Sequence, residues 1–234
     1  MSRVLLTIVG VVAVLGGCQS AKPRYGTERQ LFLPGDRVQV WAVAPAVNLS
    51  GIAAVDALLQ ADLVYQQLQT VTGLKVIPVN RVLEVYASLK LTEIGSSEQA
   101  ALVCDLLGAD ALVVPTVTAF DPYNPPKMGA SLQLFAKPGN FVRPAGLDPR
   151  QLARMAAPGA TESVPADAAM LQVVGMYDAT NGSVREKVHQ FADGRNDPTG
   201  PLGHKEYFVS MDRFSSFVYH DLIEQLLIRC GSTF

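Results

Sequence analysis

Three cysteines, three histidines and a single tryptophan among 234 residues leave little material for the commonest kinds of site chemistry. The sequence has no C-x-x-C pair, no H-E-x-x-H pattern and no two histidines four residues apart, so no metal-ligand spacing is written in it. Charged residues amount to only 17%, the net charge is −2, and no Lys/Arg cluster stands ready to track a phosphate backbone, which disfavours nucleic-acid binding. Ser50 sits in Leu-Ser-Gly rather than G-x-S-x-G, so a nucleophile elbow is missing. Gly139, Gly146 and Gly159 lie too far apart to cradle a phosphate. The acidic pairs Asp56/Asp62 and Asp105/Asp110 have neither i,i+3 nor i,i+4 spacing, and read as capping or solvated groups. The expectation is therefore no catalytic residue, no metal, no cofactor and no enzyme. No apolar run reaches the ~20 residues that a spanning helix needs.

What is present begins at residue 1. Arg3 supplies a short positive region, and residues 4–15 form an apolar run of the length found in a signal h-region. Leu15-Gly16-Gly17-Cys18 follows, and resembles the lipobox of bacterial lipoproteins, whose cysteine accepts diacylglycerol before cleavage makes it the first residue. That resemblance implies lipidation at Cys18, a signal peptide over 1–17, and a mature chain of 217 residues. Several acyl chains hold a protein stably to a membrane, whereas one holds it marginally. Gln19, in place of an aspartate, implies by the same resemblance the outer membrane, facing the periplasm. An ordinary secretory signal followed by a coincidental cysteine is the plainer alternative.

Hydrophobic residues make up 49% of the chain, the balance of a packed core. Residues 18–36 mix proline, glycine and both charges without periodicity and read as a tether, with a single folded domain over 37–234. Val38, Val40, Ala42 and Ala44 alternate as a strand, and Asn48-Leu49-Ser50-Gly51 ends it as a turn. Ile52, Val55, Leu59 and Leu63 have helical spacing up to a cap at Gly73. A strand over 74–79, a helix capped by Asn80, a helix from Ser96 or Ser97 with Ala100, Val103, Cys104 and Leu107 inward, and a strand over 111–120 follow. Three prolines then stiffen a loop over 121–127, and 131–136 resumes strand alternation. Residues 138–168 form a Pro/Gly/Ala-rich excursion with a short helix over 149–155. Residues 170–178 and 184–191 read as two strands joined by an Asn181-Gly182 hairpin turn. After a Gly/Pro loop over 194–203, Met211, Phe214, Val218 and Leu222 mark a long C-terminal helix ending near Gly231. The expected fold is α/β, a mixed sheet with helices packed on it, in the order β-α-β-α-α-β-β-β-β-α. Cys104 reads as a buried free thiol, with a Cys104–Cys230 disulfide as the alternative that a periplasmic setting permits.

That order, with four short motifs, resembles the periplasmic domains of the curli-secretion lipoprotein, the penicillin-binding-protein activator lipoproteins and the N-terminal domain of the Tol-Pal propeller protein. The motifs are residues 43–51 (VAPAVNLSG), 74–81 (LKVIPVNR), 107–114 (LGADALVV) and 177–182 (YDATNG). The resemblance covers about residues 37–230, and 121–127 and the excursion depart from it. An anchor, a leader and a small α/β body without site chemistry point to a membrane-anchored, non-enzymatic adaptor or assembly factor of an envelope complex, with a subunit of a curli-type oligomeric export assembly as the second reading. A ligand-binding or hydrolytic lipoprotein is the third. Membrane barrel hairpins of ~9–11 residues per strand fit poorly with prolines inside 120–137.

An adaptor needs a contact surface. Tyr123, Asn124, Pro125, Pro126 and Lys127 are the candidate partner-binding residues, because prolines pre-order a loop and Tyr123 offers a large amphipathic contact. The competing reading has the loop merely turning the chain, with Tyr123 packed on its own sheet. The excursion over 138–168 is the second candidate surface. The three histidines read as surface or hydrogen-bonded groups, with His189 placed in the hairpin strand.

Overall fold

The computed structural model describes residues 28–137, 169–195 and 200–232. The expected signal peptide, Cys18 and the excursion with its short helix lie outside the described residues. Strands β1 (Gln39–Val43), β2 (Val47–Asn48), β3 (Leu74–Ile77), β4 (Ala111–Asp121), β5 (Lys127–Ala136) and β6 (Ala169–Asp178) form one sheet. Its order is β3-β1-β4-β5-β6, with β2 also paired to β4. The first three are parallel, and β4-β5-β6 are antiparallel.

Helices α1 (Ala57–Gln69), α2 (Val79–Leu89) and α3 (Ser97–Leu107) make the crossovers between parallel strands. α4 (Gly182–Ala192), a 3-10 turn (Gly203–Lys205), the short α5 (Glu206–Val209) and the long α6 (Met211–Ser232) follow β6. Alternation along β1 decides which face each helix covers. Trp41 and Val43 point into a core shared with α1, α4 and α6, while Ala42 and Ala44 point into a second core under α2 and α3. The expected α/β class and mixed sheet are what the structure has.

Several boundaries have local causes. Asp56 caps α1 by accepting from the amides of Leu58 and Leu59, so that helix begins five residues later than the apolar stripe from Ile52 suggested. Thr70, not Gly73, closes it, and Gly73 (φ +88°) turns the chain into β3. α2 starts at Val79 behind Pro78, ahead of Asn80. Ser96 caps α3 as expected, and Gly108 (φ +65°) ends it in the left-handed conformation that glycine tolerates. Pro115 sits inside β4 because the ladder there passes from β1 (Val43↔Val113) to β2 (Val47↔Thr116), leaving a gap where no amide donor is needed.

The largest correction concerns residues 182–192. Asn181-Gly182 is no hairpin turn, and 184–191 is no strand: Asn181 accepts from the Ser183 amide and hydroxyl, capping α4, whose Val184, Val188 and Phe191 face the core. The described residues therefore run β-β-α-β-α-α-β-β-β-α-α-α. The expected tether also differs in its described part. Leu31 and Leu33 are core residues, and Phe32 bridges Thr72 in parallel beside β3: the Leu33 N–H donates to the Thr72 carbonyl and the Thr72 N–H to the Leu31 carbonyl, both at 2.9 Å.

Candidate functional site

Two ends of the sheet have different owners. At the starting ends of the parallel strands lie Leu33, Gly73 and Ala111, and there too Lys137 leaves β5 and Ala169 enters β6. β4 and β5 run from that end past the finishing end of β1 to a hairpin tip at 122–126. Eleven residues of β4 put the tip about 33 Å from its start.

The tip is held from below and open above. Asp121 pairs with Lys127, and Lys127 pairs with Asp178 across β6, its ammonium 3.0 Å from the Asp178 carboxylate. Hydrogen bonds from the Thr180 hydroxyl and amide, reinforced by Lys127, pull the Asp178 pKa down to about 2. Pro126 is buried and its carbonyl accepts from the Ala179 amide at 3.0 Å. Pro122, Tyr123, Asn124 and Pro125 are exposed, and Tyr123 is 81% exposed, so it does not pack on its own sheet. Of the five candidate residues, then, three present themselves to solvent and two anchor the loop.

Below the tip, one sheet face continues the surface. β6 alternates Val173 and Tyr177, turned to the core with α6, against Met170, Val174 and Met176 on the other side, which are 37%, 61% and 64% exposed. Met176 lies opposite Gly129, where an added Cβ would come within 3.1 Å of its sulfur. This apolar strip escaped the sequence reading because an alternating strand normally turns polar residues to water.

Under the other face, a polar knot ties β6 to the C-terminal helix. The Tyr177 hydroxyl donates to Asp221 Oδ2 at 2.7 Å, Lys187 Nζ to Oδ1 at 2.9 Å and Gln225 Nε2 to Oδ2 at 2.8 Å. These donors hold the Asp221 carboxyl below its ordinary range against the opposing effect of burial. Gly175 makes room for it, since a Cβ there would lie 2.5 Å from the Tyr177 ring.

Where an open α/β sheet offers a crevice, at the finishing ends of β1 and β4, the chain fills it with its own β2 and the turn beyond. Asn48 Oδ1 accepts from the Ser50 amide and hydroxyl, and its Nδ2 donates to the Ile52 carbonyl. Ser50 is thus a turn residue. Asp56 caps α1, Asp105 pairs with Lys137 at 2.8 Å, and Asp110 accepts from the Val40 amide at 2.8 Å, fixing β4 beside β1.

The histidines part company. His189 lies on α4, its ring 4.1 Å from that of His204, a pairing that no spacing announced. His220 is 7% exposed against Phe191, and burial first, then Arg195, push its pKa down to about 4. Among the described residues its Nδ1 has no hydrogen-bond partner, contrary to the expectation of a surface or bonded group. No group of three potential metal ligands occurs among the described residues. Cys104 and Cys230 are free and buried in the two separate cores, and burial raises the first to about 11 and the second to about 12. Among the described residues, no helix is long and apolar enough to cross a membrane.

No family model and no curated protein matches the chain. Among solved structures it is similar to lipoprotein GNA1162 from Neisseria meningitidis, at 15% identity and TM-score 0.38, over 65% of this chain and 94% of that one. It is also similar to the LpoB C-terminal domain from Salmonella enterica, at 13% identity and TM-score 0.35, over 44% of this chain and 75% of that one. The PelC dodecamer from Paraburkholderia phytofirmans gives 8% identity and TM-score 0.35, over 87% of this chain and 96% of that one.

Proposed function

We propose that this chain is a lipoprotein anchored through Cys18 to the outer membrane, facing the periplasm, and that it acts without catalysis as an adaptor or assembly factor of an envelope complex. The observation that supports this most is the opposition of its two ends. The N-terminal segment joins the sheet at the starting end of the parallel strands, and the hairpin with exposed Tyr123 projects from the other. A chain held by its N-terminus at a membrane presents such a tip to whatever lies beyond. The Asp121–Lys127–Asp178 row rims it with charge, and Val174 and Met176 continue it as an apolar strip, a combination that suits a protein partner.

Membrane fractionation combined with crosslinking in cells tests the proposal. Cys18→Ala releases the protein from the membrane fraction, and wild type crosslinks to defined envelope proteins that Tyr123→Ala loses. A soluble wild type overturns the anchor, and a protein that crosslinks only to copies of itself in a large ring replaces the adaptor by the oligomeric export assembly.

A further inference from the structure

The two edges of the sheet are built differently. β3, at one edge, has four residues, one of them Lys75, and Pro78 follows it directly. Short length, lysine and proline are the ordinary means by which an edge is kept from pairing with another chain. β6, at the other edge, has ten residues and keeps one unbroken register against β5, from Lys127↔Asp178 to Ala136↔Ala169. It holds neither proline nor lysine, and its one charged residue is Asp178, at the end. Among the described residues no strand pairs with its other side.

The phase of the ladder fixes which residues face that open side. The Ala179 amide donates to the Pro126 carbonyl, just ahead of β5, at 3.0 Å. Counting back by two, Tyr177, Gly175, Val173 and Leu171 turn their backbone groups to β5, and Met176, Val174 and Gln172 turn theirs to the open edge. The Gln172 carbonyl agrees, since it accepts from the Arg229 guanidinium of α6. Side chains alternate with the same period, so Val174 and Met176 carry both the outward backbone groups and the bare side chains, 61% and 64% exposed. A row of backbone N–H and C=O groups beside an apolar strip is complementary to another extended backbone.

The neighbouring helix narrows the choice of occupant. α6 turns Tyr219 to Gln60 of α1 and Asp221 to Lys187 of α4, so α4 stands on the side of α6 away from α1, the side on which β6 is the last strand. A second copy pairing edge to edge would bring its own α6 and α4 into that place, whereas a single extended segment brings only itself. We propose that β6 binds an extended segment of a protein partner as a further antiparallel strand over residues 174–178, with an apolar side chain at every second position lying on Val174 and Met176. The main chain supplies affinity and the alternating apolar side chains supply specificity. The partner's being an envelope protein rests on the adaptor reading above; the edge itself does not.

The test is amide hydrogen exchange and NMR titration of the full chain with the peptide Lys-Val-Thr-Val-Thr-Val-Lys, blocked at both ends. The same peptide N-methylated at every residue is the control that keeps the side chains and removes the donors. In the free chain the amides of Val174 and Met176 are expected to exchange fast and those of Val173 and Gly175 slowly. The peptide is expected to shift and protect Val174 and Met176 saturably, and the methylated peptide to bind at least about ten-fold more weakly. Val174→Pro removes a donor from the open edge and none from the β5 ladder, and is expected to weaken the peptide about ten-fold. The proposal is overturned if Val174 and Met176 are as protected as Val173 in the free chain, or if the peptide up to about 1 mM leaves them unshifted. It is equally overturned if the methylated peptide binds as well, or if Val174→Pro, shown to be folded by thermal melting, binds as wild type does. Protection that grows with protein concentration alone assigns the edge to a second copy and overturns it too. None of these readouts involves Cys18 or Tyr123, so the anchor and the adaptor reading fail separately, in the crosslinking experiment.

Discussion

Strands β3, β1 and β4 carry helices on both faces, whereas β6 carries α6 on one face and turns Met170, Val174 and Met176 outward on the other. In the parallel half, every side chain from Trp41 to Ala44 is fully buried, as a strand between two helical layers requires. Along β6, burial alternates but hydrophobicity does not. The difference separates two reasons for an apolar residue: in β1 it builds the core, and on the outward side of β6 it is surface held in reserve. The knot of Tyr177, Asp221, Lys187 and Gln225 fastens the half-covered region from its inner side alone.

Trp41→Ala should break the covered half most severely, lowering unfolding free energy by about 3–5 kcal/mol in chemical denaturation, because a fully buried side chain leaves a cavity between two layers. Acid is next in size. His220 has a folded pKa of about 4 against an ordinary 6.5, so below 6.5 the unfolded chain takes up a proton that the folded chain refuses. Stability is expected to be level above pH 6.5 and to fall between 6.5 and 4 by at most about 3 kcal/mol, and His220→Gln should flatten that slope in denaturation curves across pH. Asp178, with its carboxyl held near 2, acts in a lower window, its contribution being lost below about pH 4.

On β6 itself, Gly175→Val should cost about 1–3 kcal/mol by driving into the Tyr177 ring, measured as a lower denaturation midpoint. Met176→Lys, one residue along and on the outward face, should change stability by less than about 0.5 kcal/mol. Equal and large losses for these neighbours would remove the distinction between the two faces. Tyr123→Ala should likewise leave the melting curve within about 0.5 kcal/mol of wild type while abolishing crosslinks to partners.

Much of the architecture was legible because its causes are local. Ser96 caps α3 by accepting from the amide of Gln99, three residues on, and the spacing of Phe214, Val218 and Leu222 marks α6 wherever it packs. The misread stretch was legible too. Asn-Gly favours a tight hairpin, but Asn is also a preferred helix cap, and Val184, Val188 and Phe191 at i, i+4 and i+7 carry helical rather than strand periodicity. Other features had no local signal. Tyr177 and Asp221 are 44 residues apart, and Tyr219 bonds to Gln60 across 159, so only the fold brings them together. Leu31, Phe32 and Leu33 are a lone apolar triplet in a polar stretch, and what buries the two leucines comes from distant parts of the chain. The exposed tip was anticipated through its prolines, but the strip beneath it was not, because no pattern within β6 says which face a helix will leave bare.

The burial of Leu31 also sets a length. On the proposed anchoring at Cys18, thirteen residues lead from the anchor to Leu31, and no chain of that length reaches further than about 45 Å. With the roughly 33 Å of β4 added, the same proposal puts Tyr123 within about 80 Å of the membrane. A partner met by that tip must come inside this radius, so an insertion or deletion ahead of Leu31 would change which partners are in range.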